Sequence, residues 1–212
     1  MQIAIPLFDK VTALDAVGPY EVLQRLPGTS VVFVGSRLGI VRSDNGFLGL
    51  SVDATFDNVM SPDVIVFPGG IGTRTVMRDD GVLDWVRNVH ETSVFTTSVC
   101  TGSLVLGAAG LLDGLEATTH WATYETLAST GAVPVSSRVV EHLDRRIITA
   151  AGVSSGIDMA LRLAELLFDE DAAKAMQLIV EYDPQPPFDA GSVEKAGPDV
   201  VARAAEYSRT RD

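Results

Sequence analysis

Cysteine occurs once in the chain, at position 100, and histidine only three times. A lone thiol excludes an intrachain disulfide framework and any zinc site built from several cysteines. The histidines at 90, 120 and 142 share no ligand spacing, so the sequence offers no metal centre. Positive charge is scarce as well. Sixteen lysines and arginines face 28 aspartates and glutamates, for a net charge of −12. Repulsion from phosphate then argues against general binding to nucleic acid or an anionic membrane. No apolar run approaches the roughly 20 residues that cross a bilayer. The opening "MQIAIPLFDK" shows no basic leader and no small-residue cleavage site, and it reads as a first strand. A free thiol persists best in reducing surroundings, so the expected location is the cytoplasm.

What is present is an alternation of apolar strands and amphipathic helices. "IAIPLF", "SVVFVGS", "DVIVFPGG" and "SVFTTSV" read as strands, with helices expected over 13–26, 79–92 and 101–111. "GIVRSDNGFLGLSV" reads as a hairpin turning at Asp44-Asn45-Gly46. Beyond "TTHW" come a helix to about Ser129, strands in "SRVVEHL" and "RRIITAAG", and helices from about Ser155 to Phe168 and Glu170 to Tyr182. "DPQPPFDAGS" has too many prolines for a helix, and the last dozen residues suit one exposed helix. This pattern predicts an α/β sandwich: a mainly parallel central sheet with helices on both faces. Residues 1–183 are expected to form one domain. Residues 184–212 would be packed on it or exchanged with a second copy.

In such sheets the functional crevice lies beyond the carboxyl ends of the strands. Three ends stand out: the loop holding Asp15, "FPGG" at 67–70, and the corner at 98–102. "SVCTG" has the form of a nucleophile elbow, with Cys100 between strand and helix and Gly102 where the backbone must pack closely. A helix N-terminus lowers a thiol pKa, so thiolate is expected there. The bland alternative is a small buried hydrophobe. Gly69 and Gly70 offer backbone N–H groups as an oxyanion or anion cradle, or simply a tight turn. Thr101 can donate through its amide or hydroxyl. Asp15 is either a helix-capping carboxylate or an acid/base group facing the thiol. The spacing leaves both open. His120, beside Trp121, reads as structural, and His90 and His142 as surface residues.

"LDAVGPYEVL", "PGGIGT", "SVCTGSLVLGAAGLLDGLEATTHW" and "AGVSSGIDMAL" together resemble the ThiJ/PfpI superfamily, over nearly the whole chain. The superfamily has a glutamine-amidotransferase-like, flavodoxin-like fold. The cysteine motif and the later "EYDPQPPFDAGS" are similar to its isonitrile hydratase subgroup. That resemblance implies a homodimer without metal or organic cofactor that hydrates an isonitrile to an N-substituted formamide. It implies Cys100 as nucleophile, Asp15 as acid/base carboxylate and Thr101 as the residue following the nucleophile. Gly69 and Gly70 would lie against the substrate, with Val153 as an aliphatic neighbour of the thiol. Peptidase-like and glyoxalase-like members carry His after the cysteine and Glu at the acidic position. Thr101 and Asp15 depart from both, which disfavours those chemistries.

The main rival is a small-molecule or oxidative-stress sensor. Regulators of the AraC type share "CTG" and "TTHW" in a similar domain that precedes a DNA-binding half. The residues after Gly152 are expected to be too few, with too few basic ones among them, for such a half. A redox role for Cys100 would lack an intramolecular resolving cysteine.

Overall fold

The computed structural model describes residues 1–209. Its first compact unit, Met1–Val180, is built on a seven-stranded sheet. From the N-terminus the chain forms β1 (Gln2–Pro6), α1 (Ala13–Leu23) and β2 (Ser30–Gly35). The antiparallel hairpin of β3 (Gly39–Arg42) and β4 (Gly49–Val52) follows, then β5 (Ala54–Thr55) and β6 (Val64–Phe67). Next come α2 (Thr73–Val76), α3 (Asp80–Thr92), β7 (Phe95–Val99) and α4 (Gly102–Ala108). β8 (Glu116–Ala117), α5 (Tyr124–Ala128) and β9 (Val133–Pro134) lead to β10 (Val139–His142), β11 (Ile147–Ala150), α6 (Ser155–Leu167) and α7 (Glu170–Ile179). A second unit begins at Glu181 and contains α8 (Val193–Ala196) and α9 (Pro198–Arg209). Residues 210–212, the end of the expected terminal helix, lie outside the described residues.

The sheet order is β10-β11-β7-β6-β1-β2-β5, parallel except for the β10 edge. The central strands are apolar throughout, because helices cover both of their faces. Ile3, Ile5, Val64, Val66 and Val99 pack with Leu163 and Met159 of α6 on one side. Ala4, Ile65 and Phe67 pack with Trp85, Val86 and Leu104 on the other. The expected hairpin, strands and long helices are all present.

Several boundaries differ from expectation, that of α7 among them, which ends at Ile179 rather than Tyr182. α1 stops at Leu23 rather than 26, giving way to a turn before Pro27. The helix after the cysteine ends at Ala108, where Gly110, with a left-handed φ of 82°, turns the chain out of the helix. Among the described residues, no helix is long and apolar enough to cross a membrane.

Candidate active site

Four neighbouring parallel strands end at one place. β1 leads to Asp15, β6 to Gly69 and Gly70, β7 to Cys100 and Thr101, and β11 to Val153. The three strand ends singled out in the sequence therefore meet, with β11 adding a fourth.

Cys100 occupies the turn between β7 and α4 with φ of 57°, in the left-handed region that side chains other than glycine seldom adopt. Its N–H is held by the carbonyls of Ala150 and Ala151 at 3.0 and 2.8 Å. Its carbonyl accepts from Ser103 Oγ and Thr119 Oγ1, both at 3.1 Å. Two residues on, a Cβ at Gly102 would fall 2.1 Å from the Phe67 carbonyl, so the elbow closes only with glycine there. Val153 is also left-handed, at φ 37°. The amides of Val153 and Thr101 both act on the Cys100 sulfur and favour its thiolate form.

Those amides are outweighed. Burial, followed by the negative charge of Asp15, holds the thiol well above the ordinary cysteine range. The sequence expectation of a resting thiolate is thus corrected. α4 is only seven residues long, and its dipole cannot offset removal of the sulfur from water.

Asp15 lies in the first turn of α1 and is completely buried. It does not cap that helix. Its Oδ2 instead accepts the Gly69 N–H at 2.9 Å, while Oδ1 is buried with no partner of hydrogen-bonding geometry among the described residues. The Cys100 thiol nonetheless interacts with the carboxyl closely enough to pull its pKa down somewhat. Burial dominates and raises Asp15 to about 7, with a smaller upward push from Asp44. At neutral pH this carboxyl divides between its acid and base forms.

Asp44 stands at the hairpin turn, where its N–H bonds the Val11 carbonyl and its Oδ2 accepts from Thr12 Oγ1 at 3.4 Å. Asp44→Asn keeps an acceptor for Thr12 but removes the charge. The pKa of Asp15 should then fall by a few tenths of a pH unit. The limb of any rate profile governed by Asp15 would move to lower pH. An unmoved or alkaline-shifted profile would show that Asp44 does not act through charge.

The N–H of Gly69 serves Asp15, and that of Gly70 is taken by Thr101 Oγ1 at 2.9 Å. The Thr101 hydroxyl in turn donates to the Gly70 carbonyl at 3.1 Å. Both glycine amides are therefore engaged within the protein, and the amides turned towards the sulfur are those of Thr101 and Val153. A Cβ on Gly69 would lie 2.5 Å from Thr101 N and 2.8 Å from Asp15 Oδ2. Gly69→Ala is expected to cost about 1–3 kcal/mol of stability. Urea unfolding measures this, and an unchanged midpoint would mean that the crowded groups yield freely.

The histidines stand apart from this cluster. His120 caps the turn Trp121–Thr123, its Nδ1 accepting from Ala122 N at 3.3 Å, and burial lowers its pKa. His90 and His142 are half-buried rather than surface residues. His90 Nδ1 lies 2.9 Å from Thr96 Oγ1, and His142 Nε2 donates to the Glu116 carbonyl at 2.7 Å. Among the described residues, no group of three or more His, Cys, Asp or Glu side chains could hold a metal ion.

Comparison with known proteins follows the same outline. The profile of the DJ-1/PfpI family matches residues 1–166. The chain is 47% identical over 204 residues to an isonitrile hydratase of Pseudomonas putida, covering 96% of this chain and 88% of the relative. It is 31% identical over 162 residues to the HTH-type transcriptional regulator GbdR of Pseudomonas aeruginosa, of which it spans 43%. A crystal structure of a ThiJ/PfpI family protein from Pseudomonas syringae superposes with a TM-score of 0.90 at 39% identity, covering all of this chain and 88% of that one.

Proposed function

The chain belongs to the DJ-1/PfpI family, and from that premise we propose that it is an isonitrile hydratase acting through Cys100 and Asp15. The observation that carries this reading is the 47% identity to a hydratase across 96% of the chain. The chemistry available at the four strand ends is consistent with it.

A neutral, buried thiol suits an isonitrile, R–N≡C, because the terminal carbon must gain both a nucleophile and a proton. As Cys100 sulfur bonds to that carbon, its proton passes to Asp15 Oδ1 and from there to the same carbon. The product is the thioimidate R–N=CH–S–Cys100. Gly69 keeps Oδ2 occupied as an acceptor, which leaves Oδ1 as the proton carrier. In the second half, Asp15 takes a proton from water as its oxygen adds to the imidate carbon. The nitrogen gains a proton, the carbon–sulfur bond breaks, and R–NH–CHO leaves with the thiol restored. One molecule of water is consumed, and no electrons change hands.

A carboxyl with a pKa of about 7 is well matched to giving and taking protons in one cycle at neutral pH. The amides of Thr101 and Val153 would steady the sulfur as it departs. Gly69 and Gly70 would set the positions of Asp15 and Thr101, and the side chain of Val153 would help shape the apolar wall. The same reading includes a homodimer, which the native mass in solution checks.

The deciding experiment supplies an aryl isonitrile in H2(18)O and follows the formamide by mass spectrometry. One (18)O atom in the formyl group supports hydration. A folded protein that gives no formamide across aryl and alkyl isonitriles would overturn the reading. That result would turn attention to the rival reading, a non-catalytic sensor, which the similarity to a transcriptional regulator keeps in view.

A further inference from the structure

The segment Thr118-Thr119-His120-Trp121 contributes nothing to the chemistry above, yet one of its side chains touches the elbow directly. Thr119 is fully buried, and its hydroxyl donates to the Cys100 carbonyl at 3.1 Å. Thr123 Oγ1 lies 3.1 Å from Thr119 Oγ1 and 2.9 Å from the His120 carbonyl. A hydroxyl has one proton to donate. Thr119 gives its proton to the Cys100 carbonyl, and that of Thr123 goes either to the His120 carbonyl or to Thr119.

The consequence follows from peptide geometry. The bond from Cys100 to Thr101 is trans and planar, so its carbonyl and its N–H face opposite edges. Holding the oxygen against Thr119 on one edge fixes the direction of the Thr101 N–H on the other, from which that amide favours the thiolate of Cys100. The left-handed φ of Cys100 makes this anchoring consequential, since such a conformation persists only where its surroundings over-determine it. Ala150 and Ala151 hold the N–H of Cys100, whereas Thr119 and Ser103 hold its carbonyl. Ser103 sits in the first turn of α4 and moves with the elbow. Thr119 comes from a separate loop and ties the elbow to the body of the domain.

We propose that Thr119 is a positioning residue for the thiol: by anchoring the Cys100 carbonyl it keeps the Thr101 N–H on the sulfur. Its part in turnover rests on the hydratase reading, whereas its part in thiol geometry does not.

Thr119→Val preserves shape and removes the hydroxyl, and Thr119→Ser restores it. Because Cys100 is the single cysteine, iodoacetamide alkylation followed by intact mass reads this thiol alone. The valine variant is expected to react about fivefold more slowly near pH 8, with its rate profile displaced to higher pH. The serine variant should match wild type. In protein labelled with (15)N-threonine, the Thr101 amide resonance should move in the valine variant and stay in place in the serine variant. If hydratase turnover is present, kcat should fall in Thr119→Val while KM holds.

Should Thr119→Val fail to fold, Thr119→Ala removes the same hydroxyl with less bulk in the loop. It should slow alkylation about fivefold as well. An unchanged alkylation rate in a folded Thr119→Val overturns the proposal, as does a serine variant as slow as the valine. An unchanged rate in a folded Thr119→Ala does the same where the valine at 119 does not fold. Alkylation requires no isonitrile, so a missing hydratase activity would remove the functional reading and leave this assignment to its own measurement.

Discussion

Cys100→Ala is expected to reduce formamide formation to background, a loss on the order of 10⁴-fold or more. The size of the effect follows from what the thiol does. It forms the bond to carbon, supplies the proton that carbon needs, and later leaves. Alanine can do none of these, and Asp15 would face an isonitrile with no nucleophile in line. Alanine fits the same backbone, since its side chain places no more bulk at the left-handed turn than cysteine does. The protein should therefore remain folded, with the thermal midpoint as the control.

Intact mass of acid-quenched wild type adds an independent reading. A species heavier by one isonitrile should appear during turnover and be absent from the variant. It can sit on no other cysteine. Formamide persisting in Cys100→Ala well above background would sink the covalent path. It would leave direct addition of water, guided by Asp15, as the alternative.

Much of this architecture is legible in the sequence, for reasons local to each segment. Strands such as "VIVF" are apolar at every position because both faces are covered, and Asp44-Asn45-Gly46 carries its own turn chemistry. The parallel order then follows from the helices between strands, and the crevice from the strand ends. Less legible is whatever depends on a contact between segments. Asp15 reads equally well as a cap or as a buried acid until β6 is placed beside β1, which brings Gly69 N to its Oδ2. Asp44 reads only as a turn residue. Its influence on Asp15 arises because the hairpin folds back, bonding Val11 and Thr12.

The thiol shows how a sound local rule can lose. Strand, turn and helix N-terminus argue for thiolate, and the two amides on the sulfur do favour it. Burial and a carboxylate from a distant part of the sequence reverse the balance. Thr119 is the opposite case. "TTHW" is conspicuous as a motif, but nothing in its composition says that the hydroxyl reaches a carbonyl nineteen residues upstream. A buried threonine in a loop, with no apolar periodicity to explain it, is the available signal. It marks the residue without naming its contact.

Asp15→Asn should separate what the carboxyl does for catalysis from what it costs the fold. Asparagine can still accept the Gly69 N–H, so the site keeps its shape, but it cannot carry a proton between sulfur, carbon and water. Turnover is expected to fall by about 10²- to 10⁴-fold, the usual range for a lost general acid/base. Stability should move the other way, and only at higher pH. The folded pKa of Asp15 is raised from 3.8 to about 7, so between those values the native state binds a proton that the unfolded chain has released. Its contribution is fully present below about pH 4 and is lost as pH rises through 7. Above that point wild type holds an unpaired buried charge, a burden of a few kcal/mol. The asparagine variant has no such charge. Urea unfolding at pH 4.5 should therefore find the two proteins close in stability, and at pH 8 should find the variant the more stable. Parallel pH dependences would mean that Asp15 ionises in the native state as easily as in the unfolded one. The carboxyl would then lack the poise near neutrality that a recycling acid/base group requires.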